Sequence, residues 1–223
     1  MNRSVVFAVV LGLAGCGVLM SLGIWQMQRL AWKEGIIARA EAMMAEPPVA
    51  LSAVLDPVAD RYRAVKVSGW YTGQEAQVLT SLRDGGPGFL VIAAFEVADG
   101  RRILVDRGYV PEVDKIAPRA ARAAEVVGNL AWPDDMTSGT PPYDATRAIW
   151  YGRDLAGISA QLGTEPVMII ARQDTGDGVF AQPVTTEGFR NDHLNYAITW
   201  FSLAAVWAGM TVYFLWRIRA RTV

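Results

Sequence analysis

Tyr196-Ala197-Ile198-Thr199-Trp200-Phe201-Ser202-Leu203-Ala204-Ala205-Val206-Trp207-Ala208-Gly209-Met210-Thr211-Val212-Tyr213-Phe214-Leu215 contains no charged residue. A helix needs roughly 20 apolar residues to cross the hydrocarbon core of a bilayer, and this run is long enough. A second uncharged run, Ser4 to Ile24, lies at the other end of the chain. Nothing between them reaches that length, so the pair predicts two transmembrane helices with a polar domain between. The chain has 223 residues, 52% hydrophobic and 19% charged. That is too much charge for a transporter of many spans at this size, and it suits two spans plus one domain.

The composition removes several kinds of chemistry. One cysteine excludes an internal disulfide framework, a Cys-x-x-Cys redox pair and a zinc site of several thiolates. One histidine excludes zinc sites that need two or three imidazoles from one chain, and with them the two-histidine protease motif. No nucleophile elbow and no phosphate loop is present. An enzyme is therefore the weaker expectation. Neither apolar run contains Asp, Glu, Lys or Arg, which argues against a proton relay or a charged substrate path.

Charge sets the expected orientation. Arg217, Arg219 and Arg221 follow the second span directly and predict a cytoplasmic C-terminus. Two spans return the N-terminus, with Arg3, to the same side. Arg29, Lys33 and Arg39 just beyond the first span argue the other way, but long translocated domains follow charge poorly. All 22 acidic residues lie between Glu34 and Asp192. Of the 21 basic residues, Arg3, Arg217, Arg219 and Arg221 fall on the expected cytoplasmic side, leaving 17 against 22, a net charge of −5 for the outer part from about Gln26 to Asp192. This disfavours nucleic acid as a partner. Trp25, Tyr196 and Trp200 mark the outer interface, Tyr213 and Trp216 the inner one. The expected organisation is a first span at 4–24, an extending helix and linker at 25–48, and an outer domain at 49–192. A second span at 193–216 and a basic cytoplasmic tail at 217–223 complete it. The lipid bilayer is the first partner, and in a bacterium the expected location is the inner (plasma) membrane with the domain in the periplasm. A competing reading takes Leu13-Ala14-Gly15-Cys16 as a lipoprotein cleavage box. The residues after Cys16 stay apolar, which favours an uncleaved span with Ala8, Gly12 and Cys16 as a small-residue seam.

In the outer part, Leu30, Lys33, Ile37, Ala40 and Met44 recur at helical spacing until Pro47-Pro48 stops them. Short strands are predicted around Val65 to Tyr71, Gln77 to Leu82, Phe89 to Val97, Arg102 to Tyr109, Glu125 to Trp132 and Val167 to Ala171. Asp99-Gly100 reads as a hairpin turn. Asp154 before Leu155 to Leu162 and Gly163 after it mark a short helix. The predicted class is an integral membrane α+β protein. Two terminal transmembrane helices flank an extracytoplasmic antiparallel β domain, a sheet or small barrel, with one short helix. Gly176-Asp177-Gly178 resembles a dinucleotide fingerprint by letter only, since Pro183 follows and no helix opens there. Asp134-Asp135 reads as a solvated pair.

The only histidine, His193, falls in the first turn of the second span, with Asn191 or Asp192 placed to cap it. His193, Trp200 and Trp207 share a helix face, and Tyr196, Leu203 and Met210 flank it. Two readings are open at this point. One is an interfacial histidine bonded locally above packing tryptophans. The other is an axial ligand to haem iron, with the ring against the aromatic stripe and Arg190 pairing with propionates. No second ligand is evident, Met20 and Met27 being more suited to packing.

Three blocks carry a resemblance. They are Leu22-Gly23-Ile24-Trp25-Gln26 with Arg29 and Lys33; Asp99-Gly100 with Leu104-Val105-Asp106-Arg107-Gly108-Tyr109-Val110-Pro111; and Asn191-Asp192-His193-Leu194-Asn195-Tyr196-Ala197-Ile198-Thr199-Trp200-Phe201. In content, order and two-span layout the chain resembles the Surfeit-locus family of cytochrome c oxidase assembly factors. It departs mildly at Asp106, where Asn is common, at Tyr109, where Trp is common, and at Asp192 and Asn195. The resemblance implies an assembly factor, not an enzyme, that binds haem a transiently and assists its delivery to the catalytic subunit of a haem-copper oxidase. It implies haem a synthase as a further partner, and His193 as the haem-contacting residue with Arg190, Tyr196 and Trp200 around it. A scaffold that docks oxidase subunits and binds no haem is the alternative, with Arg107 as the residue that would probe it.

Overall fold

In the computed structural model, which describes residues 3–220, both apolar runs are helical. The helices are α1 (Arg3–Ala45), α2 (Leu155–Leu162) and α3 (His193–Ala220). α1 has 43 residues, about 65 Å at 1.5 Å per residue, so it outruns a bilayer core by half its length. It ends where Pro47-Pro48 removes two amide donors. α1 and α3 are each long and apolar enough to cross a membrane. Their outward faces are uncovered: Phe7, Leu13, Val18, Val206, Val212 and Phe214 are all exposed. This is the pattern of a two-span membrane protein. Of the expected basic tail, Arg217 and Arg219 form the last turn of α3, and residues 221–223 lie outside the described residues.

The chain divides into two compact units, one made of residues up to Arg39 and from Thr186 onward, the other of Ala40–Thr185. In the first unit the helices run antiparallel. Their seam follows heptad spacing, which keeps one stripe facing a partner. On α3 the stripe is His193, Ala197, Trp200, Ala204, Trp207 and Thr211. On α1 it includes Gly12, Gly15, Gly23 and Gln26. Small residues allow the close approach: a Cβ at Gly15 would stand 2.3 Å from the indole nitrogen of Trp207. That indole N–H donates to the Gly12 carbonyl at 3.2 Å, and the Cys16 thiol points at the Ala204 carbonyl at 3.8 Å. Cys16 thus sits in the middle of the seam.

The second unit is a barrel. Its strands are β1 (Val49–Ala50), β2 (Ala64–Leu82), β3 (Gly86–Val97), β4 (Arg102–Pro111), β5 (Arg122–Ala131) and β6 (Met168–Ala171). They lie in the order β1-β2-β3-β4-β6-β5, and β2 pairs again with β5, which closes the sheet. The two strands expected around Val65 and Gln77 are one long strand. Its register shifts between Tyr71 and Glu75, where Gly73 has φ +82°. A strand that bends at such a bulge can serve two neighbours and turn a barrel corner. The expectation of a wholly antiparallel sheet is corrected: β6 lies parallel to β4, and β1 parallel to β2. β6 is antiparallel to β5, to which it is joined by a long loop and α2, and by lying between β5 and β4 it runs parallel to β4.

Side chains alternate across the strands. Val65, Val67, Phe95, Ile103, Val105, Leu130 and Ile169 meet inside the barrel. Ala76, Ile92, Leu104, Met168 and Ile170 face the other way, under Ile158 and Leu162 of α2. The Asp154 carboxylate caps α2 by accepting from the Gly157 N–H at 2.9 Å, and Gly163 ends it at φ +62°.

Candidate functional site

His193 is the first residue of α3, and its ring turns inward along the seam. Its Nδ1 lies 2.7 Å from Oε1 of Gln26 on α1. An amide oxygen only accepts, so Nδ1 carries the hydrogen, and in the neutral ring the lone pair is then on Nε2. Nε2 has no hydrogen-bond partner among the described residues. Gln26 is buried, 8% exposed, while the imidazole is half-buried. A ring held at one nitrogen, with the other open, is the arrangement that orients histidine ligands at metals, where the second nitrogen almost always donates to an acceptor. The residues present therefore fit a haem ligated through one imidazole.

Gln26 was not singled out by its chemistry at the sequence level. The available signal was a polar residue in the α1 heptad that passes through Gly12, Leu19 and Gln26, two positions past the apolar run.

The other expected contacts divide. Trp200 is on the seam and half-buried beside Ala197. Tyr196 lies off the seam and is exposed, as are Trp25 and Leu194. These rings and side chains give the His193 end of the helix pair an apolar surface. Arg190 points to solvent and pairs with Asp192. Trp207 joins the seam through its bond to Gly12, so at that position the tryptophan stripe takes part in helix packing. Met20 and Met27 are exposed, and neither is a seam residue. The expected side-chain cap of α3 is not formed. The Asp192 carboxylate goes to Arg190, and Asn191 Oδ1 is buried without a partner. The Asp192 backbone carbonyl instead accepts from the Tyr196 N–H at 3.2 Å.

The charged string Asp106-Arg107-Gly108 of the second block lies in the barrel and is consumed by folding. Opposite it on β3, Val91 pairs with Gly108 and Ile92 with Asp106, so Arg107 is the extra residue of a bulge. The Asp106 carboxylate accepts from the Gly108 N–H at 3.1 Å and holds the bulge. Gly108 has φ +115°, and a Cβ there would meet the Phe180 carbonyl at 2.1 Å. The bulge turns Arg107 into a buried position, 2% exposed. Its guanidinium donates to Asp177 at 2.6 Å, to Thr175 Oγ1 at 2.8 Å and to the Gly176 carbonyl at 3.1 Å. It also stacks on the Tyr71 ring, 4.7 Å away. Arg107 is therefore a structural residue and cannot probe a docking surface, contrary to expectation. The Gly176-Asp177-Gly178 turn has all three residues at positive φ, and its carboxylate is held low chiefly by the Arg107 hydrogen bond.

Asp106 itself is almost fully buried. Burial pushes its carboxyl up to about 6, against the pull of Arg153 at 3.5 Å and the Gly108 N–H. Asp134 and Asp135 are exposed, as expected, and Asp135 also pairs with Arg153 at 2.5 Å and so positions the cation that faces Asp106.

The family model described as the SURF1 family matches residues 13–205. Among curated relatives, Surfeit locus protein 1 of Xenopus tropicalis is 32% identical over 214 residues, covering 83% of this chain and 68% of its own. The human Surfeit locus protein 1 is 31% identical over 82% of this chain and 69% of its own. A SURF1-like protein of Rickettsia felis is 31% identical over 84% of this chain and 87% of its own. The matched span runs from the first apolar run through the barrel to Ala205, one residue past the seam residue Ala204 of α3, and on that extent the chain belongs to the SURF1 family.

Proposed function

We propose that this chain assists assembly of a haem-copper terminal oxidase by holding haem a as cargo on His193 Nε2 and passing it to the catalytic subunit. The SURF1 family is one of oxidase assembly factors; the cargo and its handling are the part proposed here. The observation that carries the reading is the 2.7 Å contact between His193 Nδ1 and Gln26 Oε1, which fixes the ring and leaves Nε2 available to iron. Tyr196 and Trp200 supply ring surface beside it. Arg190 would exchange Asp192 for a propionate. Haem iron, once ligated, accepts the Nε2 lone pair. A single ligand suits a carrier, because transfer requires the acceptor to bind more tightly than the donor. The same reading places both termini in the cytoplasm of a bacterium. The barrel is then periplasmic, with the helix pair in the inner membrane. The positive end of α3 supports that orientation.

The test is an optical spectrum of detergent-purified protein co-expressed with the haem a biosynthetic enzymes, beside His193→Ala. The parent should carry haem a, and the variant should lose it while still inserting. Full haem occupancy in the variant would overturn the assignment. A second reading, a scaffold that docks oxidase subunits without haem, is favoured by Val113 and Ile116, which stand 85% and 90% exposed at the end of β4. In that case Val113→Asp with Ile116→Asp abolishes co-purification with the oxidase, and His193→Ala is silent.

A further inference from the structure

At the end of the helix pair remote from His193, α1 and α3 leave a groove of about 790 Å³ between Arg3, Phe7, Ala8 and Leu11 on one side and Met210 and Phe214 on the other. Its size falls in the range of ligand clefts, about 300–1,000 Å³. It exists because the close seam stops at Gly12, where Trp207 and Thr211 pack, and Ala8 is too small to fill the space beyond. The polar groups that line it are already used: the Trp207 N–H donates to the Gly12 carbonyl, and the Thr211 hydroxyl donates to the Trp207 carbonyl at 2.8 Å. What the groove presents is hydrocarbon. At its mouth stands Arg3, and α3 ends on Arg217 and Arg219. The sequence has no Asp or Glu before Glu34 or after Asp192, so no acidic side chain balances these cations.

We infer that this groove binds an anionic phospholipid of the adjoining leaflet, its acyl chain between the helices and its phosphate on Arg3. Basic pockets between transmembrane helices on the positive side take anionic headgroups in this way. The α3 wall of the site begins at Met210, about 26 Å along the helix from His193, counted from seventeen residues at 1.5 Å each, and it does not depend on the haem reading.

The test uses the full chain, purified in detergent and offered equimolar phosphatidylglycerol and phosphatidylcholine. Retained lipid is counted by native mass spectrometry. The parent should keep phosphatidylglycerol at least about fivefold over phosphatidylcholine. Arg3→Gln should bring the two to parity, and Leu11→Trp should lower retention of both by putting an indole ring across the groove. Met210→Trp does so from the opposite wall and serves if Leu11→Trp does not fold. Parity in the parent, or a preference that survives Arg3→Gln and the tryptophan variants, would overturn the inference. So would loss of phosphatidylglycerol on loading haem a, since the groove would then belong to the haem tail.

Discussion

Replacing Gln26 by Leu keeps the volume of the seam and removes the acceptor for His193 Nδ1. Leaving a buried donor without its partner costs about 1–3 kcal/mol, and Gln26 is 8% exposed, so water can replace it only in part. At metal sites the loss of such an outer partner lowers ligand affinity roughly 10–100-fold. Haem a retention by Gln26→Leu should therefore fall by that factor, with insertion unchanged. Gln26→Glu should act the other way, because a carboxylate makes the imidazole a stronger donor than a neutral amide does. The ring can be read directly. The chain contains one histidine, so ¹⁵N-histidine labelling of protein made without a histidine tag reports His193 alone. Nitrogen shifts of the haem-free parent should show the hydrogen on Nδ1, and Gln26→Leu should show a mixture of tautomers. A parent with its hydrogen on Nε2, or a Leu variant that retains haem within twofold of the parent, would refute the reasoning.

Arg107→Leu should destabilise the barrel by about 3–5 kcal/mol, the cost of breaking a buried ion pair from one side, read as a lower thermal midpoint of the full chain. Asp106 gives a pH signature. Its folded carboxyl sits at about 6 against 3.8 for the free side chain, so its protonated form favours the fold. That contribution is complete below pH 3.8 and is lost as pH rises through about 6. Asp106→Asn should remove this slope and match or exceed the parent at pH 8; a slope unchanged in the variant would place the titration elsewhere. For the seam, Ala204→Cys should form an oxidised cross-link with native Cys16, whose thiol lies 3.8 Å from the Ala204 carbonyl. Adding Gly15→Leu, which forces side chain into Trp207, should abolish that cross-link on a non-reducing gel.

The two spans were legible because an uncharged run of bilayer length has few other meanings. The short helix α2 was legible from Asp154 and Gly163, whose cap chemistry is local. The pairing of strands was not. The placing of β6 between β5 and β4 depends on how far a loop and a helix can reach, and no residue of β6 records its neighbour. The single long β2 was hidden by Gly73, which ends an apolar pattern in the sequence but in the fold only bends it. At the site, His193 was legible as a lone imidazole at a helix start. Gln26 was not, because its meaning comes from a partner 167 positions away. Trp207 was legible only in part for the same reason: its face was right, and its partner Gly12 lies on α1.

The charged string Asp106-Arg107-Gly108 and the histidine block look alike in a sequence, as clusters of chemically capable residues. Folding separates them by asking what each group has left to give. Arg107 meets Asp177, Thr175 and Gly176, and Asp106 meets Gly108 and Arg153, which Asp135 holds in turn. Arg119 is used in the same way by Glu75 at 2.7 Å. In the barrel these charges fix a bulge, a turn and a strand edge, and their donors and acceptors point at each other. At His193 only one of two nitrogens is so used. A neutral amide holds it, so the ring is oriented without the extra donor strength a carboxylate would lend. Fixed geometry with one nitrogen left open is what the proposed role as a transient haem carrier calls for, because a looser ring would collect haem poorly.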